Sequence, residues 1–427
     1  MRFVSVVLCF LCLSVSRAWG AAPPETQAVA AAVNAFALDA YRQLAKDEKG
    51  NIFFSPYSIS SALATVWAGA AGSTAEEMAA ALHFPKPEAL HTGMKYLMER
   101  FNATPEKTGV MEIVNWLGLG KKAGALEIAN RLWLDKGEKP LPEYAALVEA
   151  NYGADVGSVD FQQYPEEARK EINRWVERKT RDKIKELLME GNVTPNTRLV
   201  LTNAIYFNSA WRHPFEKSDT EEKPFRIGKG RQINVPLMKQ TQKELLYGEL
   251  FYGEKLDRWE PDLQWVKIPY ATPDFSLLVL LPKENETFTQ MELLEKKLSP
   301  EAIAAWVARM GKREVKLWLP KFRDERRYSL KGLLQKLGIK LAFTQEADFS
   351  RMAEAIDDPL YVDSVVHQSF IELDEEGTKV AVGMMWGSAV ASAPVYFRAD
   401  HPFIYCLMDD ATGTILFLGR MVEPASL

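Results

Sequence analysis

Apolar positions fall into two regimes along the chain. In the first half they recur mainly at helical spacing. An Ala-rich amphipathic stretch runs from Val29 to Leu44, followed by "SISSALATVWAGA". In "GSTAEEMAAALHF", Ser73 and Glu76 have capping-box spacing, which predicts a helix starting at about Ser73. Between Glu167 and Leu188 the residues Ile172, Trp175, Val176, Ile184, Leu187 and Leu188 fall at helical spacing, and Lys and Arg fill the other face. That pattern predicts one helix over the span. Strand patterns dominate later: "RLVLTNAIYF", "FSLLVLLP", "EVKLWLPKF" and "TILFLGRMV" are short, apolar or alternating, with Pro or Gly at several ends. Helical patterns from Pro300 to Met310 and Ser329 to Leu337 lie between them, and Ala103 to Gly124 reads as a surface loop or insertion. No Gly/Ser linker, repeat or low-complexity tract divides the chain. One large α+β domain is expected.

Composition adds little to this picture, but the ends add more. The 427 residues are 47% apolar and 26% charged, ample for a large core. A net charge of -5 without a long Lys or Arg run gives nucleic acid no footing as a partner. The first twenty residues have the anatomy of a secretory signal: Arg2, an apolar run from Phe3 to Val15, then Ala18-Trp19-Gly20. The run is too short for a bilayer-spanning helix, which needs about 20 residues. The expectation is a signal over residues 1–20, a mature protein from residue 21 that is secreted, and no membrane partner. Cys9 and Cys12 lie in that signal, so Cys406 would remain alone, as a small buried hydrophobe. Three sequons, at Asn102, Asn192 and Asn285, matter if the source glycosylates secreted chains.

Enzyme chemistry finds no assembled motif. The five His (His83, His91, His213, His367 and His401) form no HExxH, and there is no Cys-x-x-Cys, so no metal or cofactor is expected. No G-x-S-x-G elbow exists. "GLGKKAG", Gly118 to Gly124, has the wrong glycine spacing for a phosphate loop. Asp400 and His401 are adjacent, and on an extended strand they would point to opposite faces.

Several separated stretches share one resemblance. "NIFFSPYSISSALATVWAGAAGSTAEEM", "LTNAIYFNSAWRHPFEKSDTEEKPF", "VKLWLPKFRDERRYSLKGLLQKLGI", "ADFSRM", "VVHQSFIELDEEGT" and "FRADHPFIYCLMDDATGTILFLGRMVEP" resemble the serpins, in the family's order and over nearly the whole chain after the signal. The resemblance implies a single domain over residues 21–427, with three β-sheets, about nine helices and an exposed reactive-centre loop at about 375–397. It also implies a mechanism. A serine protease cuts the loop and forms an acyl-enzyme. The loop then inserts into the large sheet, and the covalently held protease is distorted. Loop insertion of this kind is an established conformational device.

The loop residues can be measured against that mechanism. Counting by twos from Thr378 gives Val380, Val382, Met384, Trp386 and Ser388 on one face; Lys379, Ala381, Gly383, Met385 and Gly387 take the other. Burying four Val or Met-sized side chains would release on the order of 10 kcal/mol before ordering costs. In the hinge Glu375, Glu376, Gly377, Thr378, Lys379, Val380, Ala381 and Val382, Gly377 supplies conformational freedom. Thr378 is small and uncharged, whereas a charge there would have to be buried unpaired. That favours an inhibitor. Lys379, Val380 and Val382 depart from the family's usual Glu and Ala run, and the bulk of Val380, Val382, Met384 and Trp386 is what would slow entry.

The family's usual offset places the reactive bond at Ala391-Ser392, with Val390-Ala391 as the alternative. Either suits a shallow, elastase-like specificity pocket. The resemblance further assigns control of sheet opening to Ser55, Ser58, Asn203 and His367 under the sheet centre, to the aromatic Trp211, and to an ion pair of Glu375 with Lys321. A monomer is expected. Heparin-type activation is not, because the predicted helix from Glu88 to Phe101 carries only Lys95 and Arg100 as fixed cations. The alternatives are a non-inhibitory carrier or chaperone, and a cross-class inhibitor of cysteine proteases.

Overall fold

The computed structural model describes residues 22–102, 125–228, 230–252, 260–272, 274–284, 287, 289–354, 359–377 and 393–425. Helix α1 (Pro24–Asp47) opens the chain. After β1 (Ile52–Phe54) come α2 (Pro56–Ala68), α3 (Gly72–Ala81), α4 (Pro87–Asn102), β2 (Ala125–Asp135), α5 (Pro142–Tyr152), β3 (Asp155–Val159) and α6 (Pro165–Lys179). Strands then prevail: β4 (Leu199–Asn208), β5 (Glu221–Gly228), β6 (Arg231–Leu250), β7 (Leu263–Pro269) and β8 (Phe275–Pro282). The rest comprises α7 (Thr289–Lys297), α8 (Pro300–Ala308), β9 (Gly311–Pro320), β10 (Phe322–Ser329), α9 (Lys331–Leu337), β11 (Ser364–Leu373), β12 (Val395–Arg398), β13 (Phe403–Asp409) and β14 (Ile415–Met421). The described residues thus hold nine helices in an α+β fold. No helix among them is long and apolar enough to cross a membrane.

The described residues form two sheets where three were expected. One has five strands in the order β10-β11-β4-β2-β3. The other has nine, β1-β14-β13-β8-β7-β6-β9-β12, with β5 paired to β6. The physical reason is β6. Its 20 residues pair with β5 at one end and with β7 at the other, so a single long strand fuses two of the expected sheets.

The centre of the five-stranded sheet is buried on both faces, and its strands show why. In β4, Leu199, Leu201, Ile205 and Phe207 join the main core beneath α2, while Val200, Ala204 and Tyr206 join a second core beneath α6. Helix α2 is buried from Pro56 to Val66, as a helix at the centre of a large core must be.

Three local expectations need correction. Helix α3 begins at Gly72 with Ala71 as its N-cap and no side-chain acceptor, so Ser73 and Glu76 form no capping box. Asp348 supplies backbone contacts there instead: the Ala71 N–H donates to its carbonyl, and its own N–H donates to Thr74 Oγ1. The helix predicted to reach Leu188 stops at Lys179. Arg181, Asp182 and Glu186 all adopt positive φ (50°, 60° and 50°), which a helix cannot carry. Ile184, Leu187 and Leu188 are still buried under α6, held by Asn173, whose amide brackets Leu188 by donating to its carbonyl and accepting from its N–H. Third, Asp400 and His401 do meet: His401 Nδ1 lies 2.9 Å from Asp400 Oδ1. They sit between β12 and β13, outside either strand and at a bend, so the opposite-face rule of a strand does not hold there.

Candidate functional site

The seam between β4 and β11 carries the site. These two strands are direct, parallel neighbours from Ser364 opposite Val200 to Phe370 opposite Tyr206. In the middle of the seam, His367 stands opposite Asn203, Asn203 opposite Asn130 of β2, and Tyr328 of β10 opposite His367. Residues in one such row share a face, so four polar side chains cross the sheet on the side of the main core.

These groups satisfy one another. Ser55 caps α2: its Oγ accepts from the Ser58 N–H at 3.2 Å and donates to the Leu416 carbonyl at 2.6 Å. The Ser55 N–H donates to His367 Nε2 at 3.1 Å. His367 Nδ1 meets Asn203 Oδ1, and the Asn203 amide nitrogen donates to the Ser58 carbonyl at 2.9 Å, to Ser58 Oγ and to Asn130 Oδ1. The donors leave one tautomer, with the His367 proton on Nδ1 and Nε2 unprotonated. Burial lowers the His367 pKa to about 3, so the ring is neutral in the folded protein near neutral pH.

At the top of the seam the chain leaves β11 and turns back. The Asp374 N–H donates to the Gly377 carbonyl at 3.0 Å, and the Gly377 N–H returns the bond at 3.2 Å. Glu375 and Glu376 occupy the two turn positions. Gly377 has φ 120°, and a Cβ on it would lie 2.5 Å from the Trp211 nitrogen and 2.6 Å from the Ser209 carbonyl oxygen. Glycine is required there twice over, by dihedral and by space.

Trp211 is the floor of this turn. Its Nε1 donates to the Asp374 carbonyl at 3.0 Å, its backbone N–H donates to the Glu376 carbonyl at 3.0 Å, and its ring stacks on Tyr270 at 4.4 Å. Glu375 is bound by Lys321 Nζ at 3.0 Å and by Thr220 Oγ1 at 2.9 Å. Burial works to raise its pKa, but its own backbone N–H, Lys321 and Thr220 outweigh that and hold the carboxyl below its ordinary value. Glu376 pairs with Lys217 at 2.8 Å.

The structure therefore brings Ser55, Ser58, Asn203 and His367 together under the sheet, and Trp211, Lys321, Glu375, Glu376 and Gly377 above it. Thr378, Lys379, Val380, Ala381, Val382, Met384, Trp386 and the bonds Ala391-Ser392 and Val390-Ala391 lie outside the described residues, as do the predicted loop at 103–124 and Asn285. Asn102 is exposed at the end of α4; Asn192 is half-buried and accepts from Met189 and Arg327. Cys406 is buried, and burial pushes its thiol pKa up to about 12. Arg100 is no free cation, because it binds Asp409 and Asp274.

Asn130, Tyr328, Thr220 and Lys217 escaped the sequence reading. Asn130 had a signal: it interrupts the core-facing phase Leu126, Ile128, Leu132, Leu134. Asn203 interrupts β4 in the same phase, and His367 does so in β11.

A family model described as serpin (serine protease inhibitor) matches residues 31–424. A serpin-like protein of Thermococcus kodakarensis is 38% identical over 406 residues, covering 94% of this chain and 87% of the relative. The leukocyte elastase inhibitor of Equus caballus is 38% identical over 396 residues, 91% of this chain and 97% of its own. Human thyroxine-binding globulin superposes with a TM-score of 0.78 at 30% identity, over 94% of this chain and all of that one. The sheet with its polar seam, the turn above it and a match across almost the whole chain establish that this protein belongs to the serpin family of serine protease inhibitors.

Proposed function

We propose that this chain is a secreted suicide inhibitor of serine proteases that prefers targets cleaving after small residues, and that it works by loop insertion into the β4–β11 seam. The observation that carries this is topological. β4 and β11 run parallel and touch directly. The turn at Asp374–Gly377 reverses the chain, so a strand continuing from Thr378 would run antiparallel to both neighbours at once. One parallel ladder would be exchanged for two antiparallel ones, which are the stronger kind.

The sequence beyond the turn suits that slot. Residues 378–391 outnumber the ten of β11. Because β4 and β11 are buried on both faces, the alternate positions would have to fit on the α6 side; Ala381, Gly383 and Gly387 are small, while Met385 and, at the end of the strand, Lys379 share that face. The elastase preference rests on Ala391 or Val390 at the bond and on relatives that include leukocyte elastase inhibitors. Secretion rests on the sequence of residues 1–20.

The test is incubation with an elastase followed by denaturing electrophoresis. A covalent protease complex is expected with the wild type. Thr378→Arg is expected to yield cleaved protein and free, active elastase, because the seam would have to bury an unpaired charge. Clean cleavage of the wild type with full protease activity remaining would reject the proposal.

A further inference from the structure

The outer face of β6, β9 and β12 carries a ladder of cations and aromatic rings. In one row Arg398 stands opposite Trp318, and Trp318 opposite Lys239; in the next, Tyr396 stands opposite Lys316. The alternate residues Leu317 and Phe397 are fully buried, so the ladder faces outward. The Arg398 guanidinium lies 4.5 Å from the Trp318 ring centre and Lys239 Nζ 5.9 Å from it, while Lys316 Nζ lies 5.2 Å from the Tyr396 ring. The two rings stack at 6.0 Å, and Tyr396 is 52% exposed.

Charge pairing distinguishes this ladder from its surroundings. Nearby Lys223 is paired with Glu221, and Arg226 with Asp400 and Glu284. Lys239, Lys316 and Arg398 have no carboxylate within 4.0 Å among the described residues. Their charges are held in place by the rings; at longer range Lys239 also acts on Glu221, whose carboxyl Lys223 and then Lys239 hold below its ordinary value. A cleft of about 410 Å³ opens beside them, its far wall carrying Asp219, Glu221 and Asp400 with Lys223 and Arg226.

Position gives the ladder a meaning. Tyr396 follows Ser392 by four residues, so the reactive bond lies within about 14 Å of it even if the chain is fully extended. A standard protein interface covers roughly 800 Å² per partner, a disc of about 16 Å radius. A protease seated on the bond therefore reaches the Tyr396 and Lys316 end of this face, with the Arg398 row next behind it. Aromatic rings with Arg are the side chains that dominate protein–protein binding energy, and three cations are few for a polyanion, whose affinity scales with the number of charges neutralised.

We propose that the Lys239–Trp318–Arg398 and Lys316–Tyr396 ladder is a docking surface for an acidic surface loop of the target protease, so that this inhibitor discriminates among proteases of the same cleavage preference by the charge around their active sites. The proposal deepens the inhibitor function above and rests on it.

The test separates docking from trapping. An acidic and a basic elastase, each with its nucleophilic serine replaced by alanine, are titrated against the wild type and against Lys239→Ala/Lys316→Ala/Arg398→Ala at low and high salt. The expected result is that the triple variant binds the acidic elastase about tenfold more weakly at low salt. The difference should shrink at high salt, and affinity for the basic elastase should hold or rise. The single variant Arg398→Ala, whose fold is checked by circular dichroism, should show the same effect in smaller degree. Equal affinities of wild type and both variants for the acidic elastase would overturn the docking surface. So would heparin binding that is lost in the variant while its elastase affinity is unchanged, since that assigns the face to polyanions. Active elastase run in parallel reports on trapping alone: a wild type that forms no covalent complex rejects the inhibitor function, while the inactive elastases still read the surface.

Discussion

Two seams in this molecule join neighbouring strands by different chemistry. Between β13 and its neighbours β8 and β14 the strands are antiparallel, and the facing residues at the centre are apolar: Cys406 beside Leu278 and Leu418, Leu407 beside Leu277 and Phe417, with Ile404 between Leu280 and Arg420 nearer the end. All are buried. Between β4 and β11 the strands are parallel, and the centre is a chain of buried hydrogen bonds through Ser55, His367, Asn203 and Asn130. An apolar seam loses its burial energy as soon as it parts. A polar seam has directional bonds that are costly to leave unmade but that an arriving strand or water can remake. Under the proposed insertion mechanism the first seam is the permanent one and the second the one that opens.

The sharpest way to break this comparison is to damage each seam and compare the intact with the loop-cleaved protein. Ile404→Ala should cost about 2–5 kcal/mol in both forms, as a cavity in a fixed core does. Asn203→Ala should cost about 2–3 kcal/mol in the intact form by stranding its partners, and clearly less after cleavage, when the seam has been rebuilt around a new strand. Thermal unfolding of the four samples decides it; equal losses in both forms for Asn203→Ala would erase the distinction.

A pH series sharpens the comparison next. The His367 pKa is about 3 folded and about 6.5 unfolded. The unfolded chain therefore binds the extra proton between these values. The stabilisation is complete above about pH 6.5 and is lost as pH falls toward 3, by up to about 1.4 kcal/mol per pH unit. Denaturant midpoints at pH 7, 6 and 5 should fall for the wild type and fall less for His367→Gln.

Smaller effects belong to the turn. Gly377→Ala should destabilise the intact protein by about 1–3 kcal/mol, through strain at φ 120° and the contact with Trp211. Faster hydrogen exchange at the Trp211 indole N–H would report it. Lys321→Met should have the least effect, about 1 kcal/mol, since Glu375 keeps Thr220 and its own backbone N–H.

Much of this was legible in the chain, for identifiable reasons. The strand β8 was readable to its last residue because "FSLLVLLP" is buried throughout and ends at Pro282. Gly377 was readable as a residue of special backbone conformation because few other residues accept its geometry. The end of α6 was not, because Ile184, Leu187 and Leu188 keep helical spacing on a backbone that has left the helix: burial sets apolar positions, and several backbones can meet it. The fusion of two sheets was hidden because register shifts in β6, between Gln242 and Leu245, depend on partners far away in sequence. The polar row was half legible: a polar residue in the core-facing phase of a strand is visible, but its alignment with those of two other strands is a fact of tertiary register. The ladder of Trp318, Arg398 and Lys239 was invisible for the same reason.

If the β4–β11 seam must part for a protease to be trapped, a lock across it abolishes trapping. Gln368 stands opposite Ala204 across that seam, within the range a disulfide spans, so Ala204→Cys/Gln368→Cys can lock it. With the disulfide formed, elastase should cut the loop and leave active, with no covalent complex on denaturing electrophoresis. After reduction the same protein should form the complex. A covalent complex of equal yield with the disulfide intact would contradict the account.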